Sequence, residues 1–460
     1  MPTELSDNMT ATERRTALSL AAVYSVRMLG LFMILPVFAL YAEDLAHVTP
    51  FLTGVAIGIY GFTQAALQIP LGLLSDRIGR KRVIVAGLLV FMAGSAVAGS
   101  SDSIYGVIAG RALQGMGAVA SAVMALAADL TREEQRSKAM AVIGFSIGVA
   151  FSLALIAGPL LDRWIGVPGI FWLTALLGAV AIWIVLRWVP QPRAVRVHRD
   201  TEAVPAFLGT VLRDMQLLRL DLGIFTLHLV LTANFVALPL LLRDHIGIGA
   251  DHHWWIYLPV LLVSFFLMLP FIIIGERRRQ MKAVLVGAVA VLVLGQLGLV
   301  WGGSGLWGLV AALVVFFTAF NLLEASLPSL VSKLAPAGKK GTALGAYSSS
   351  QFLGIFVGGG VGGALYGVWG VDGVFLMGAL AGLAWLLAAL TMRNPSYLSS
   401  YLLNIGRLDP EAARSMAAEL RSVDGVADVA IVAEEGLAYL KVDRRSLDEG
   451  RLRELTAGQA

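Results

Sequence analysis

Twelve stretches of this chain are long and apolar enough to cross a bilayer as helices, and that leaves few folds open. A helix needs roughly 20 apolar residues to cover about 30 Å of hydrocarbon, where the backbone must satisfy its own hydrogen bonds. Six stretches precede residue 190, over 17–42, 51–74, 83–100, 104–128, 138–161 and 169–189. Six more follow residue 218, over 219–243, 254–275, 282–301, 306–331, 342–366 and 371–392. Composition agrees: 57% of the 460 residues are hydrophobic and 14% are charged, against about 25% charged in ordinary soluble domains. The first apolar run is longer than a secretory signal core and continues past Pro36, so no cleavable signal is expected. The chain has no cysteine, which excludes disulfides, thiolate metal sites and cysteine catalysis. No metal, cofactor or enzymatic activity is expected.

Lys and Arg set the orientation, because basic residues favour cytoplasmic loops. One set of loops carries Arg77, Arg80, Lys81 and Arg82, then Arg132, Arg136 and Lys138, then Arg277, Arg278, Arg279 and Lys282, then Lys333, Lys339 and Lys340. The opposite loops supply Arg163 and Arg243. Both termini are therefore expected in the cytoplasm: the N-terminal segment 1–16, the linker 190–218 and the tail. An even span count agrees. The linker, with Arg193, Arg196, Arg199 and Arg213, reads as polar chain with a short amphipathic helix.

Beyond residue 397 the character changes. Tyr401–Ile405 reads as a strand, Asp409-Pro410 opens a helix with Pro in its first turn, and Ala413, Met416, Ala417 and Leu420 form an apolar stripe. Val426, Val429 and Ile431 suggest a second strand, Glu434-Glu435-Gly436 a turn, Leu437–Val442 a third strand and 446–455 a second helix. The order βαββα over 397–455 is that of a small α+β, ferredoxin-like domain. Its pattern is similar to a heavy-metal-associated domain, but that family's two cysteines are missing, which rules out thiolate carriage of copper or zinc. The tail is not strongly basic, so nucleic-acid binding is not expected.

The loop after the second span reads Gly72-Leu73-Leu74-Ser75-Asp76-Arg77-Ile78-Gly79-Arg80-Lys81-Arg82. Glycines here let helices cross closely, and Asp76 can pair with Arg80 four residues on. The loop resembles the signature G-x-L-a-D-r-x-G-r-k of the major facilitator superfamily. Arg111-Ala112-Leu113-Gln114-Gly115-Met116-Gly117 resembles that family's R-x-x-q-G-x-g motif, and Leu29-Gly30 with Pro36 is similar to its drug:proton antiporters. Gly144, Gly148 and Gly158-Pro159 resemble the antiporter motif, although Leu161 and Asp162 stand where its last glycines belong. Gly275-Glu276-Arg277-Arg278-Arg279 resembles a decayed second copy of the signature loop. The resemblance covers about 17–392. It implies an all-α membrane protein of two pseudo-symmetric six-helix bundles, 17–189 and 219–392, with a cavity lined by spans 1, 4, 7 and 10. The chain is expected to work as a monomer in the cytoplasmic membrane.

A charge at mid-span costs roughly 2.5–3.5 kcal/mol, so each one needs a reason. Of 31 carboxylates, Glu324 alone is read as lying well inside a span. Arg27 falls in span 1, Arg111 in span 4, His228 and Asn234 in span 7, and Asn321 one turn before Glu324 in span 10. Glu324 is the expected proton carrier, with Arg111 and His228 as its coupling partners; Arg111 otherwise braces neighbouring helices and His228 otherwise packs. Gly72, Asp76, Arg77, Gly79 and Arg80, with Asp129 at the end of span 4, are expected to form a conformational switch, Asp76 docking near Gly341-Thr342. Tyr60, Gln64 and Gln68 share a face at i, i+4 spacing and either touch substrate or bond across helices. With Arg27, Gln114, Asn234, Asn321, Tyr347 and Gln351 they complete the candidate cavity.

Two functional classes remain. One is a secondary active transporter moving a small molecule against protons, with an uptake symporter as its rival; the other is a membrane sensor signalling through the tail. No phosphate-binding G-x-x-x-x-G-K-[ST] is present, so ATP-driven transport is not expected.

Overall fold

The computed structural model describes residues 9–192, 202–302, 305–395, 398–406, 408–433, 436–443 and 445–457. Arg193, Arg196 and Arg199 of the linker, and the Glu434-Glu435 turn, lie outside the described residues.

Among the described residues, ten helical stretches are long and apolar enough to cross a membrane. Two of them count double. Glu133–Arg187 has 55 residues and would run about 82 Å unbroken, well over twice a bilayer core. It is interrupted at Gly166 (φ 66°, ψ 170°), and Lys340–Leu390 is interrupted at Gly370 (φ 63°, ψ −154°). The chain turns back at each: Ser146 bonds the carbonyl of Ala21, Gly158 abuts Met33, and Thr174 then returns to Gly30. Positive φ is the left-handed region that glycine enters at little cost.

The twelve spans are therefore as follows. Span 1 is Ala11–Phe32 and Leu35–Tyr41, broken just before Pro36. Spans 2 and 3 are Pro50–Ile78 and Arg80–Gly99. Span 4 is Ile104–Met116 and Ala120–Asp129. Spans 5 and 6 are 133–165 and 167–187. The linker contributes the short helix Pro205–Val211. Span 7 is Met215–Asp244, span 8 Trp254–Arg277, span 9 Met281–Gly302 and span 10 Leu306–Leu334. Spans 11 and 12 are 340–369 and 371–390. One expectation needs correcting. Span 7 starts at Met215, not 219, which moves Asp221 from the edge of the span to more than a turn inside it, where it is buried, so Glu324 is not the one carboxylate well inside a span.

The start of span 1, the described part of the linker and the tail share one face, called here the terminal face. Near the opposite face the two bundles meet closely. A Cβ added to Gly54 would overlap the carbonyl oxygen of Gly359, and one on Gly363 would overlap that of Pro50. Gly58 and Gly61 meet Ile355 and Phe352 in the same way. Small residues allow such backbone contact between membrane helices. Arg243 at the end of span 7 reaches Glu43 after span 1, with Nη2 3.0 Å from Oε1. Deeper in, Phe151 of span 5 stacks on Phe320 of span 10 at 5.9 Å, and Phe32 of span 1 meets Phe151 edge-on at 5.1 Å.

The tail folds into a three-stranded antiparallel sheet in the order β1-β3-β2, from β1 (Ser399–Asn404), β2 (Val426–Val432) and β3 (Leu437–Val442). Its first helix, Pro410–Arg421, is capped by Asp409 and crosses from β1 to β2. β3 thus lies between β1 and β2, a split βαβ unit. Met416, Leu420, Val429, Ala438, Leu440 and Leu452 form its core.

The tail is held against the second bundle. Arg279 after span 8 donates to Asp443 at 2.8 Å, Lys441 donates to the Ser332 carbonyl at 2.6 Å, and Asp428 accepts from Ala337 N–H at 3.0 Å. Ala337 also packs with Val432 and Tyr439. Arg279 holds the Asp443 carboxyl below the usual range. The bond therefore contributes to docking above the unfolded carboxyl's value of about 3.9. That contribution is lost as pH falls through the lowered native value. Deleting 397–460 removes no span, so the truncated chain is expected to remain membrane-inserted and monodisperse by size-exclusion chromatography. Loss of all inserted protein would make the tail a structural requirement.

Candidate functional site

Two polar clusters stand out, one at mid-membrane and one at the terminal face. Glu324 anchors the first. Span 10 presents it one turn from Phe320, on the terminal side of the aromatic layer. Its side chain is 38% exposed, yet Oε2 itself is closed off and makes no hydrogen bond. Gln351 of span 11 spends its amide on two neighbours, donating to Glu324 Oε1 at 3.3 Å and to His228 Nε2 at 2.9 Å. His228 Nδ1 faces the Ile224 carbonyl at 3.3 Å, which assigns the Nδ1–H tautomer and leaves Nε2 as acceptor. Glu324 Oε2 lies 3.8 Å from His228 Nε2. Spans 7, 10 and 11 thus bring three of the expected residues together. Tyr347 is buried nearby, within electrostatic range of Glu324.

The expected partner from the first bundle is elsewhere. Arg111 is fully buried; it donates to the carbonyls of Ala56 and Ile57 and to Gln114, and its guanidinium lies 4.5 Å from the Tyr60 ring centre. It shares no partner with Glu324. The structure uses it as a brace between spans 2 and 4. Gln114 also leaves the cavity set, because it is fully buried and donates to Ser95 of span 3 at 2.8 Å. Arg27 bonds Gln64 at 2.7 Å inside the first bundle. Gln68 and Asn234 are buried, and neither amide atom of Asn234 has a hydrogen-bond partner. Asn321 is half-buried beside Glu324.

At the terminal face Arg80 is the hub. Its guanidinium pairs with Asp76, with Asp129 at 3.1 Å and with Glu202 at 2.6 Å, and it also donates to Ser75. The first two carboxylates were expected from the motif; Glu202, from the linker, was not. Two residues on, Val204 N–H donates to Thr342 at the start of span 11. The linker therefore ties the signature loop to the second bundle at the place where Asp76 was expected to dock. The glycines divide their work. Gly72 lies against Ser121 of span 4, as expected of a close crossing. A Cβ on Gly79 would meet nothing, and this glycine instead turns the chain from span 2 to span 3 at φ 102°. Arg77 is exposed. In the decayed copy Glu276 accepts from Lys333 at 2.6 Å and from Ser329 at 3.1 Å, a sparser counterpart in the second bundle.

Twelve spans in two bundles, polar residues at their seam and a charged loop between spans 2 and 3 define a multi-pass membrane transporter, not an enzyme. The family model of the Major Facilitator Superfamily matches residues 20–359 and 220–407, and the chain belongs to that family. It is 46% identical to the inner membrane transport protein YajR of Escherichia coli over 95% of this chain and 96% of that protein. It is 27% identical to the multidrug resistance protein MdtH of Aeromonas hydrophila, over 74% and 84% of the two chains. Among solved structures the human organic anion transporter MFSD10 is similar, with a TM-score of 0.62 at 22% identity, covering 83% of this chain and all of that one.

Proposed function

We propose that the chain exports a drug or small metabolite against protons by alternating access, in the inner membrane, with the terminal face in the cytoplasm. The observation that carries this reading is the setting of Glu324. It is a carboxylate in mid-span, with one oxygen sealed from solvent while the side chain as a whole is partly exposed, held by Gln351 beside a histidine whose Nε2 is an acceptor. Burial disfavours a bare charge, so such a group trades a proton whenever its surroundings change between sealed and wetted. The aromatic layer and the glycine crossing lie between it and the opposite face, which supports a conformation open to the cytoplasm. Basic loops on the terminal face support the orientation. The names of YajR and MdtH support the membrane and the substrate class.

The test is a drug panel applied to proteoliposomes under an imposed pH gradient, with an internal pH dye. Export by exchange is expected as proton movement that starts on adding one compound and runs opposite to it. Proton and compound moving in the same direction would identify a symporter. No compound-dependent flux from correctly inserted protein would favour the sensor.

A further inference from the structure

Resting on that reading, we propose that Asp221 and Tyr347 carry protons between the terminal-face solvent and Glu324. Spans 7 and 11 run side by side at a fixed register. Gly354 lies against Phe225, Gly358 against Leu229 and Gly362 against Ala233, a constant offset of 129 residues. One helical turn further toward the terminal face, that register sets Asp221 level with Ser350, between Tyr347 and Gln351. Asp221 sits four residues before Phe225, on the same face of span 7.

Both residues have the character of carriers rather than braces. Asp221 is only 6% exposed and about 9 Å inside span 7 from Met215, yet no hydrogen bond or ion pair holds it among the described residues. Tyr347 is 4% exposed, and its buried hydroxyl has no hydrogen-bond partner. Tyr347 lies within electrostatic range of both Asp221 and Glu324. A buried hydroxyl without a partner is costly, and Tyr347 in one stripe with the unpaired Asp221 carboxyl points to a shared task.

Among the described residues no cation neutralises Asp221. From span 11 it faces Tyr347, Ser350 and Gln351, and Glu324 of span 10 lies beyond Tyr347. From span 12, Trp385 packs on Gly223. Arg219 turns away to Thr391 and the Met215 carbonyl. His228 lies two turns deeper, beside Gln351.

The transfer balances simply. Protonated Asp221 gives its proton to the Tyr347 oxygen as the Tyr347 proton passes to the Glu324 carboxylate. One O–H bond forms for each that breaks, and the phenol is unchanged. Gaps longer than a hydrogen bond are bridged by water. Release runs the same steps backward.

Time-resolved infrared spectroscopy of the purified full chain after a pH jump tests this without a substrate. The carboxylic-acid band that Glu324→Gln removes reports Glu324. Asp221→Asn and Tyr347→Phe are each expected to leave the final amplitude of that band in place and slow its rise at least tenfold, and Asp221→Glu is expected to restore the rate. An unchanged rate in either Asp221→Asn or Tyr347→Phe overturns the route alone. If Glu324→Gln removes no titrating band, the coupling reading and the route fall together.

Discussion

Glu324→Gln is expected to reduce pumping against a gradient to background while the protein still binds substrate and exchanges it passively. Gln has the shape of Glu and keeps an oxygen for the Gln351 amide, so the seam of spans 7, 10 and 11 should hold its packing. What it lacks is a proton that comes and goes. An exporter that cannot load a proton at mid-membrane has no step at which the gradient biases the cycle, but alternating access itself does not need one. Counterflow, with substrate on both sides and no pH gradient, should therefore survive. Substrate accumulation in proteoliposomes, measured with and without an imposed gradient, separates these outcomes. Normal pumping by the Gln variant would make Glu324 structural and move the proton to Asp76, Asp129 or His228.

Arg80→Leu is expected to have the largest effect on stability. The guanidinium is fully buried and is shared by Asp76, Asp129 and Glu202, two of them with side chains under a tenth exposed. Removing one partner from a buried ionic cluster costs about 3–5 kcal/mol, because the charges left behind stay buried. A melting temperature lowered by about 3–5 °C in detergent is expected. Adding Asp129→Asn to the Leu variant should recover part of the loss, since neighbouring sites in one network do not act additively. A single variant that melts like wild type would show that the hub carries no stability.

Much of this was legible from residue order, for a physical reason in each case. Hydrocarbon imposes length and apolarity on every span, so spans are visible as composition. The signature loop needs Asp76 and Arg80 one turn apart, so their pairing is visible as spacing. What escaped depends on the third dimension. Glu202 sits in polar linker, and no periodicity says that such a carboxylate returns to a guanidinium in the first bundle. Asp221 follows Leu-Arg-Leu, where an apolar count places a boundary, although the helix had already begun at Asp214's cap. Gln114 and Gln351 are the same side chain at mid-span; one braces spans 3 and 4 and the other faces Glu324, and only helix rotation distinguishes them. Gly72 and Gly79 stand in one motif, and backbone φ alone separates a close crossing from a turn.

The docked tail has a practical meaning for watching the cycle. The described tail contacts fall on the loop after span 8, the last turn of span 10 and the loop after it, so the tail should travel with the second bundle as one body. A dye or spin label on the exposed side of Pro410–Arg421 would then act as a lever arm outside the bilayer. Paired with a second label at exposed Arg187, on the terminal-face end of span 6, it would turn bundle rocking into a change of distance. Neither label would touch the cavity, the aromatic layer or the Arg80 hub, so the carrier's conformational populations could be read molecule by molecule before any substrate is known.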